Sequence, residues 1–141
     1  MDLTAVREGL ADVVRAALPE LTCYGDVPDS ISEPAFLAGE VDITYDTTFG
    51  DDDEITATCR VLVSRSDDKA GQKLLNAYLS RGPKSIKRAI EGTPGEAQTL
   101  GGACDDLHVQ RIRGYRYYPH GDATYLGAEF VVKVIGGSEE G

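Results

Sequence analysis

The chain has 141 residues, 41% of them hydrophobic and 27% charged, with a formal net charge of −10. This length and composition suit one globular domain with a core that needs no disulfide or metal. Acidic proteins repel phosphate backbones, so a protein that grips nucleic acid is disfavoured, although nucleic acid could slide past its surface. Because no apolar run nears the ~18 residues of a membrane helix and the N-terminus lacks secretory-signal features, we expect a cytoplasmically made protein without membrane association.

The cysteines and histidines offer no evident chemistry. Cys23, Cys59 and Cys104 are odd in number and widely spaced, so we interpret them as reduced thiols packed as small hydrophobic residues. His108 and His120 are too few and too isolated for a metal site. No phosphate-binding loop, dinucleotide fingerprint, GxSxG or HExxH motif occurs. The sequence predicts no catalytic residue, metal or cofactor.

The first half of the chain predicts a helix followed by strands. Apolar residues recur at helical spacing over 3–18, with Asp2 or Thr4 as the N-cap and Pro19 as the stop. Short strands are predicted at 21–24, 35–38 and 41–45, with an irregular loop over 27–34. The clearest strand is predicted at 55–65, where apolar and polar residues alternate.

The second half predicts two helices and a strand pair. One helix opens at 66–68 and buries Ala70, Leu74, Ala77 and Tyr78; a shorter one at 84–91 buries Ile86, Ala89 and Ile90 and ends at Gly92. After a loop over 93–103 come strands at 107–118, with a slip in alternation between Val109 and Ile112, and at 124–135. The second of these strands has an apolar face of Leu126, Ala128, Phe130, Val132 and Val134.

This element order predicts an α+β fold. A mostly antiparallel sheet would be packed on one face by the N-terminal helix and the two central helices. The domain would span residues 3–135, followed by a flexible C-terminal tail at 136–141.

Acidic residues concentrate between two of the predicted strands. A calcium loop would carry acids at alternate positions, whereas here they are consecutive, so we interpret the segment as a projecting hairpin loop. Its members are Asp46, Asp51, Asp52, Asp53 and Glu54.

Basic residues concentrate in the second half, in two sets interleaved with tyrosines. Such a pattern suits either a nucleic-acid platform or a protein interface, and the acidic net charge favours the interface. Opposite charges on different surfaces would also allow head-to-tail packing into a closed ring. The candidate interface residues are Arg81, Lys84, Lys87, Arg88, Arg111, Arg113, Arg116 and Tyr117.

Six stretches carry a family resemblance: LTAVREGL at 3–10, VPD at 27–29, DTTFG at 46–50, VLVSRSDDKAGQ at 61–72, SIKRAIE at 85–91 and YLGAEFVV at 125–132. Together they resemble the tail terminator and head-to-tail connector proteins of long-tailed bacteriophages, especially those of actinobacteria. The resemblance covers roughly residues 3–135 and rests on pattern, not on a catalytic signature.

The resemblance implies a non-enzymatic virion protein of the phage neck, assembled in the bacterial cytoplasm. Such subunits form a hexameric ring that caps the tail tube, stops its polymerisation and docks to the head. The implied partners are other copies of the chain, the major tail tube protein and a head-completion or stopper protein, with DNA only as passing cargo. The acidic loop would face the lumen or tail-tube end. The alternatives are a stopper or other neck protein and, from another class, a small host enzyme or ligand-binding protein with a lined cavity.

Overall fold

The computed structural model describes residues 1–45, 52–64 and 69–137. The elements follow one another as α1 (Leu3–Ala17), β1 (Thr22–Tyr24), β2 (Ala35–Thr44), β3 (Asp52–Ser64), α2 (Lys69–Leu79), α3 (Ile86–Glu91), a 3-10 turn (Leu100–Gly102), β4 (Asp106–His120) and β5 (Ala123–Gly137).

The five strands form one sheet in the order β1-β2-β3-β5-β4. β1 runs parallel to β2, and every other neighbouring pair is antiparallel. The predicted α+β fold with a mostly antiparallel sheet is therefore confirmed. Residues 136 and 137, predicted as tail, are the last two residues of β5, and residues 138–141 lie outside the described ranges.

Two of the predicted strands, 35–38 and 41–45, are wrong as separate elements, because they form the single strand β2. Its register against β3 shifts between Ala38 and Val41. Gly39 lies in this irregularity, where a Cβ atom would come within 2.7 Å of the Thr58 carbonyl oxygen. Because the glycine has no side chain, β2 continues through this position. The sequence pattern had predicted a gap between two strands here.

The predicted slip in β4 is confirmed as a register shift between Val109 and Arg111. A second shift follows between Arg113 and Arg116. Gly114 lies there with a φ of 67°, a backbone conformation that side chains rarely tolerate. Such bulges bend a strand and increase its twist.

The main core lies between the sheet and the helices, on what we call the helix face. Val6, Leu10 and Val14 of α1 are fully buried there, and α1 is capped as predicted by Asp2, whose carboxylate accepts from the Thr4 and Ala5 amides. The predicted inward residues of α3 and the predicted apolar face of β5 are all buried.

The buried face of α2 differs from the prediction. Gly71, Leu75 and Tyr78 are buried, whereas Ala70 and Ala77 are exposed. The two alanines carry little apolar area, so the burial of Leu75 and Tyr78 sets the rotation of the helix.

The opposite side of the sheet, the far face, is partly covered by the loop at residues 25–34. The Pro28 carbonyl oxygen lies 2.6 Å from His120 Nε2, at the end of β4. Ile31 packs on a second apolar cluster formed by Leu37, Leu62, Tyr118 and Tyr125. The loop thus spans the far face from the β1 edge to the β4 edge.

Candidate assembly surfaces

The described part of the acidic segment is strand, not loop. Asp52, Asp53 and Glu54 are the first residues of β3, which corrects the projecting loop predicted for them. Asp53 is buried, and the Glu54 carboxylate lies 3.6 Å from Lys133 Nζ. The other two acidic residues of the predicted loop, Asp46 and Asp51, lie outside the described ranges.

The first basic set surrounds α3. Arg81, Lys84 and Arg88 are exposed to solvent. Lys87 instead pairs with Glu91 at 2.6 Å. The Glu91 carboxylate also accepts the Val109 amide at 2.8 Å, so this pair attaches α3 to the first part of β4.

The second basic set is divided by the sheet from Tyr115 and Tyr117, whereas Tyr118 lies on the same face as the arginines but is buried. Arg113 and Arg116 lie on the far face, where their β5 partners are Glu129 and Gly127. Tyr115 lies on the helix face, and its hydroxyl is 3.1 Å from Asn76 Oδ1 on α2. Since stacking platforms need exposed aromatic groups beside basic groups on one surface, this arrangement does not form one.

Strand alternation places the remaining two members of this set. Arg111 precedes Ile112, which packs on the helix-face core, so Arg111 shares the far face with Arg113. Tyr117 pairs with Leu126, a residue of that same core, and it therefore lies on the helix face.

An ion cluster that the sequence analysis missed organises the far face. The nearly buried Glu129 carboxylate accepts from Arg60 Nη2 at 2.7 Å and from Arg113 Nε at 3.2 Å. The Tyr118 ring lies under two guanidinium groups, at 4.3 Å from Arg60 and 4.8 Å from Arg116.

This environment shifts two pKa values. Burial alone would raise the pKa of Glu129, but the hydrogen bonds and charges of Arg60 and Arg113 outweigh it and lower the pKa. Burial and the neighbouring Glu129 charge raise the pKa of Tyr118. Both groups therefore hold fixed protonation states at neutral pH: an ionised carboxylate and a neutral phenol.

Sequence alternation could have placed Arg60 and Glu129 on the polar faces of their strands. Their pairing, however, spans 69 residues and depends on β3 lying beside β5. No local pattern shows that adjacency.

Three cavities formed by described residues are small or lined by charged groups. A space of about 240 Å³ lies under the 25–34 loop, lined by groups that include Arg60, His120 and Glu129. It is smaller than the ~300–1,000 Å³ typical of ligand pockets. A depression of about 80 Å³ beside His108 and Asp106 is smaller still.

A groove of about 440 Å³ runs along α1, lined by Thr4, Arg7, Glu8, Ala11, Asp12, Arg15, Gly25 and Asp26. Its arginines serve the fold. Arg7 Nη2 donates to the Ala38 carbonyl at 2.7 Å, and Arg15 Nη2 donates to the Cys23 carbonyl at 2.9 Å. These bonds hold α1 against the first two strands.

The three thiols are free and buried, as predicted. Burial raises the pKa of Cys59 to about 12 and those of Cys23 and Cys104 to about 11. They stay protonated at neutral pH, which makes them poor nucleophiles and metal ligands. Within 1–45, 52–64 and 69–137, no three His, Cys, Asp or Glu residues are grouped to hold a metal ion.

The sheet ends in two edges of opposite charge. Among the described strands, β4 pairs only with β5, and its exposed Arg111, Arg113 and Arg116 lie on the far face. At the other end, β1 covers only Ala35–Leu37 of β2. The exposed Glu40 and Asp42 lie beyond it. We call residues 111–117 the basic edge and residues 40–44 the acidic edge.

Compared with known proteins, the sequence matches no protein-family model and no curated relative. Among the described helices, none has the length and apolar character needed to cross a bilayer.

Proposed function

We propose that the chain is a structural subunit of a bacteriophage neck, a tail terminator that assembles into a ring. The observation that carries the proposal is the pair of unlike sheet edges. Each edge has hydrogen-bonding groups with no neighbouring strand in the described chain, and the two have complementary charge. Open edges of this kind are templates for pairing with another chain.

The position of the edges favours a head-to-tail contact. They lie at opposite ends of one sheet, so one copy can offer its basic edge to the acidic edge of the next. Repetition of such a heterologous contact gives a closed ring if the rotation closes and a filament if it does not. Like edges would instead bring like charges together.

The resemblance to tail terminators supports the specific role. In that role the ring caps the tail tube, stops its growth and docks to a head-completion or stopper protein within the virion. Six copies would be the expected number, with DNA passing through the central channel. The net charge of −10 per copy suits a wall that duplex DNA passes without tight phosphate contacts.

Electron microscopy of the purified protein tests ring formation. Rings with an open channel are the expected result, and single particles of monomer size at high concentration, with or without tail tubes, would contradict it. A phage that lacks the coding sequence should produce overlong tails without heads. Tails of normal length in that mutant would contradict the terminator role.

A binding experiment separates the terminator from a stopper. Purified tail tubes and DNA-filled heads are each mixed with the protein and sedimented. Binding to the tubes is expected of a terminator. Binding to the filled heads, with none to the tubes, would assign the chain to the stopper position instead.

A further inference from the structure

We infer that neighbouring copies join by direct β-sheet pairing, the basic edge of one copy against the acidic edge of the next. This inference rests on the proposed function, because it specifies the contact from which the ring is made. The pairing would continue one sheet from copy to copy through main-chain hydrogen bonds.

The strand directions agree with this contact. Along the sheet, β2, β3, β5 and β4 alternate in direction. When a second copy is placed beside the first with its helices on the same side, its β2 therefore runs antiparallel to the β4 that it meets. No inversion of either copy is required.

Charge matches on the far face of the joined edges. Arg111, Arg113 and Arg116 extend there from the basic edge, and Arg116 comes opposite Asp42 when Ile43 meets Tyr115. Asp42 extends to the same face from the acidic edge, as its partner Thr56 shows, and Glu40 lines the far-face cavity. Opposite charges across neighbouring strands stabilise pairing, and like charges oppose it.

Apolar surface matches on the helix face. Ile43 and Tyr115 are large hydrophobic residues that are 38% and 46% exposed, and Tyr117 is 39% exposed. Val41 and Ile43 pair with Ala57 and Ile55, two residues of the helix-face core. Joining the edges would cover these side chains with one another, as aromatic and β-branched neighbours do in sheets.

The two edges are staggered along the sheet. Ile43 lies in the row of Ile55, Val134 and Leu107, but the Glu91 carboxylate occupies the Val109 amide in that part of β4. The accessible part begins at Arg111 and contains the irregularity at Gly114, whose carbonyl oxygen accepts from the Tyr118 hydroxyl. Tyr115 lies between the rows of Glu129 and Gly127, about six rows from Ile43, or roughly 20 Å.

This stagger suits a closed ring. The distance across the sheet from β2 of one copy to β2 of the next is four strand spacings, roughly 19 Å at ~4.8 Å each. A rise of roughly 20 Å over that width tilts the strands by about 45°, near the ~35–45° typical of closed barrels. Six copies would contribute about 24 strands, and barrels of ~16–18 strands already enclose an aqueous channel.

Charge exchange tests the contact. The first variant, Arg111→Glu with Arg116→Glu, makes the basic edge acidic; the second, Glu40→Arg with Asp42→Arg, makes the acidic edge basic. Each alone should sediment as a monomer with an unchanged circular dichroism spectrum. An equimolar mixture should assemble again, because every basic edge then finds an acidic one in alternate copies.

Matched controls carry the same charge changes elsewhere. Arg81→Glu with Lys84→Glu repeats the first change on exposed residues near α3, and Glu96→Arg with Asp122→Arg repeats the second. Both controls should assemble like the wild type. If the edge variants assemble and the Arg81/Lys84 control does not, the proposed edge contact is wrong but the proposed ring is still supported. A wild type that forms no ring, even with tail tubes, overturns the proposed function and the contact together.

A disulfide measures the pairing directly. Ile43→Cys with Tyr115→Cys places one thiol on each edge, and the native cysteines are buried. Under mild oxidation this double variant should form a ladder of covalent oligomers, while each single variant stays uncrosslinked. Rings that assemble but give no ladder, also when Val41→Cys is combined with Tyr117→Cys, would overturn the pairing and leave the ring intact.

Discussion

Glu129 shows how one carboxylate organises the far face. It is the common acceptor of Arg60 and Arg113, and Arg60 and Arg116 also stack on Tyr118. Without this carboxylate, the guanidinium groups would face one another with no counter-charge. The carboxylate is buried and the arginine side chains are partly exposed; removing the carboxylate leaves the guanidinium charges with less compensation. The basic edge is therefore held in place by an acidic residue on the neighbouring strand.

We predict that Glu129→Gln lowers the free energy of unfolding by about 2 kcal/mol at pH 7. The native pKa of Glu129 lies below its ordinary value of 4.5. Its stabilising effect is therefore complete above that value and is lost as the pH falls through the native pKa. Urea titrations of both proteins at pH 7, 5 and 3 should show a difference that shrinks toward acid pH. A difference that is constant with pH would contradict this account, and Glu96→Gln, at an exposed site, is the control.

The N-cap residues of α1 and α3 differ in how much they contribute to stability. Asp2 is exposed and accepts from the Thr4 and Ala5 amides. Ser85 is buried, accepts from the Arg88 amide at 3.1 Å and donates to the Gly82 carbonyl at 2.7 Å. The serine thus joins the α2–α3 connection to the start of α3.

We predict that Ser85→Ala destabilises the protein more than Asp2→Ala does. Loss of an exposed cap costs about 1 kcal/mol. Loss of the serine also removes the hydroxyl bond to the Gly82 carbonyl, which keeps the residue 85 amide as a donor at 3.1 Å, so the cost should reach about 1.5–2 kcal/mol. Thermal melts of the two variants measure the order. Equal costs, or a larger cost for Asp2→Ala, would show that the bond to Gly82 contributes nothing.

At the element scale, periodicity predicted what depends on local pattern. The alternation of β5 and the helical spacing of α1 each stem from one buried face, and both elements are confirmed. The pattern failed where tertiary contact decides. Gly39 carries β2 through an irregularity, and Leu75 and Tyr78 rotate α2 away from its alanines.

The sequence predicted most residues of the candidate surfaces, but it did not predict which of them lie together on one surface. The arginines of β4 were found because basic residues cluster there in sequence. Their separation from Tyr115 and Tyr117 depends on strand alternation and two bulges, and their support by Glu129 depends on strand order. The acidic edge at Glu40 and Asp42 was missed, because its importance comes from the shortness of β1, which leaves the rest of β2 uncovered on that side.

For the whole molecule, net charge and edge charge would act in opposite directions on the proposed assembly. Each copy carries −10, so copies repel over distances comparable to the Debye length, about 30 Å at 0.01 M salt and about 8 Å at 0.15 M. In the proposed contact, opposite charges on the joined edges would lie well within a Debye length of each other and would be screened much less. Moderate salt should therefore remove the repulsion before it weakens the contact.

We accordingly predict that assembly strengthens between about 0.01 and 0.15 M NaCl and weakens above about 0.5 M, where edge pairs are screened as well. Sedimentation velocity over a concentration series measures the midpoint at each salt concentration. Glu96→Gln with Asp122→Asn removes two negative charges away from both edges, so it should assist assembly at 0.01 M and have little effect at 0.15 M. Asp42→Asn removes a charge at the contact and should weaken assembly at 0.15 M, where long-range repulsion is screened. Steady weakening of the wild type from the lowest salt upward would show that contact charges outweigh the repulsion between copies at every ionic strength.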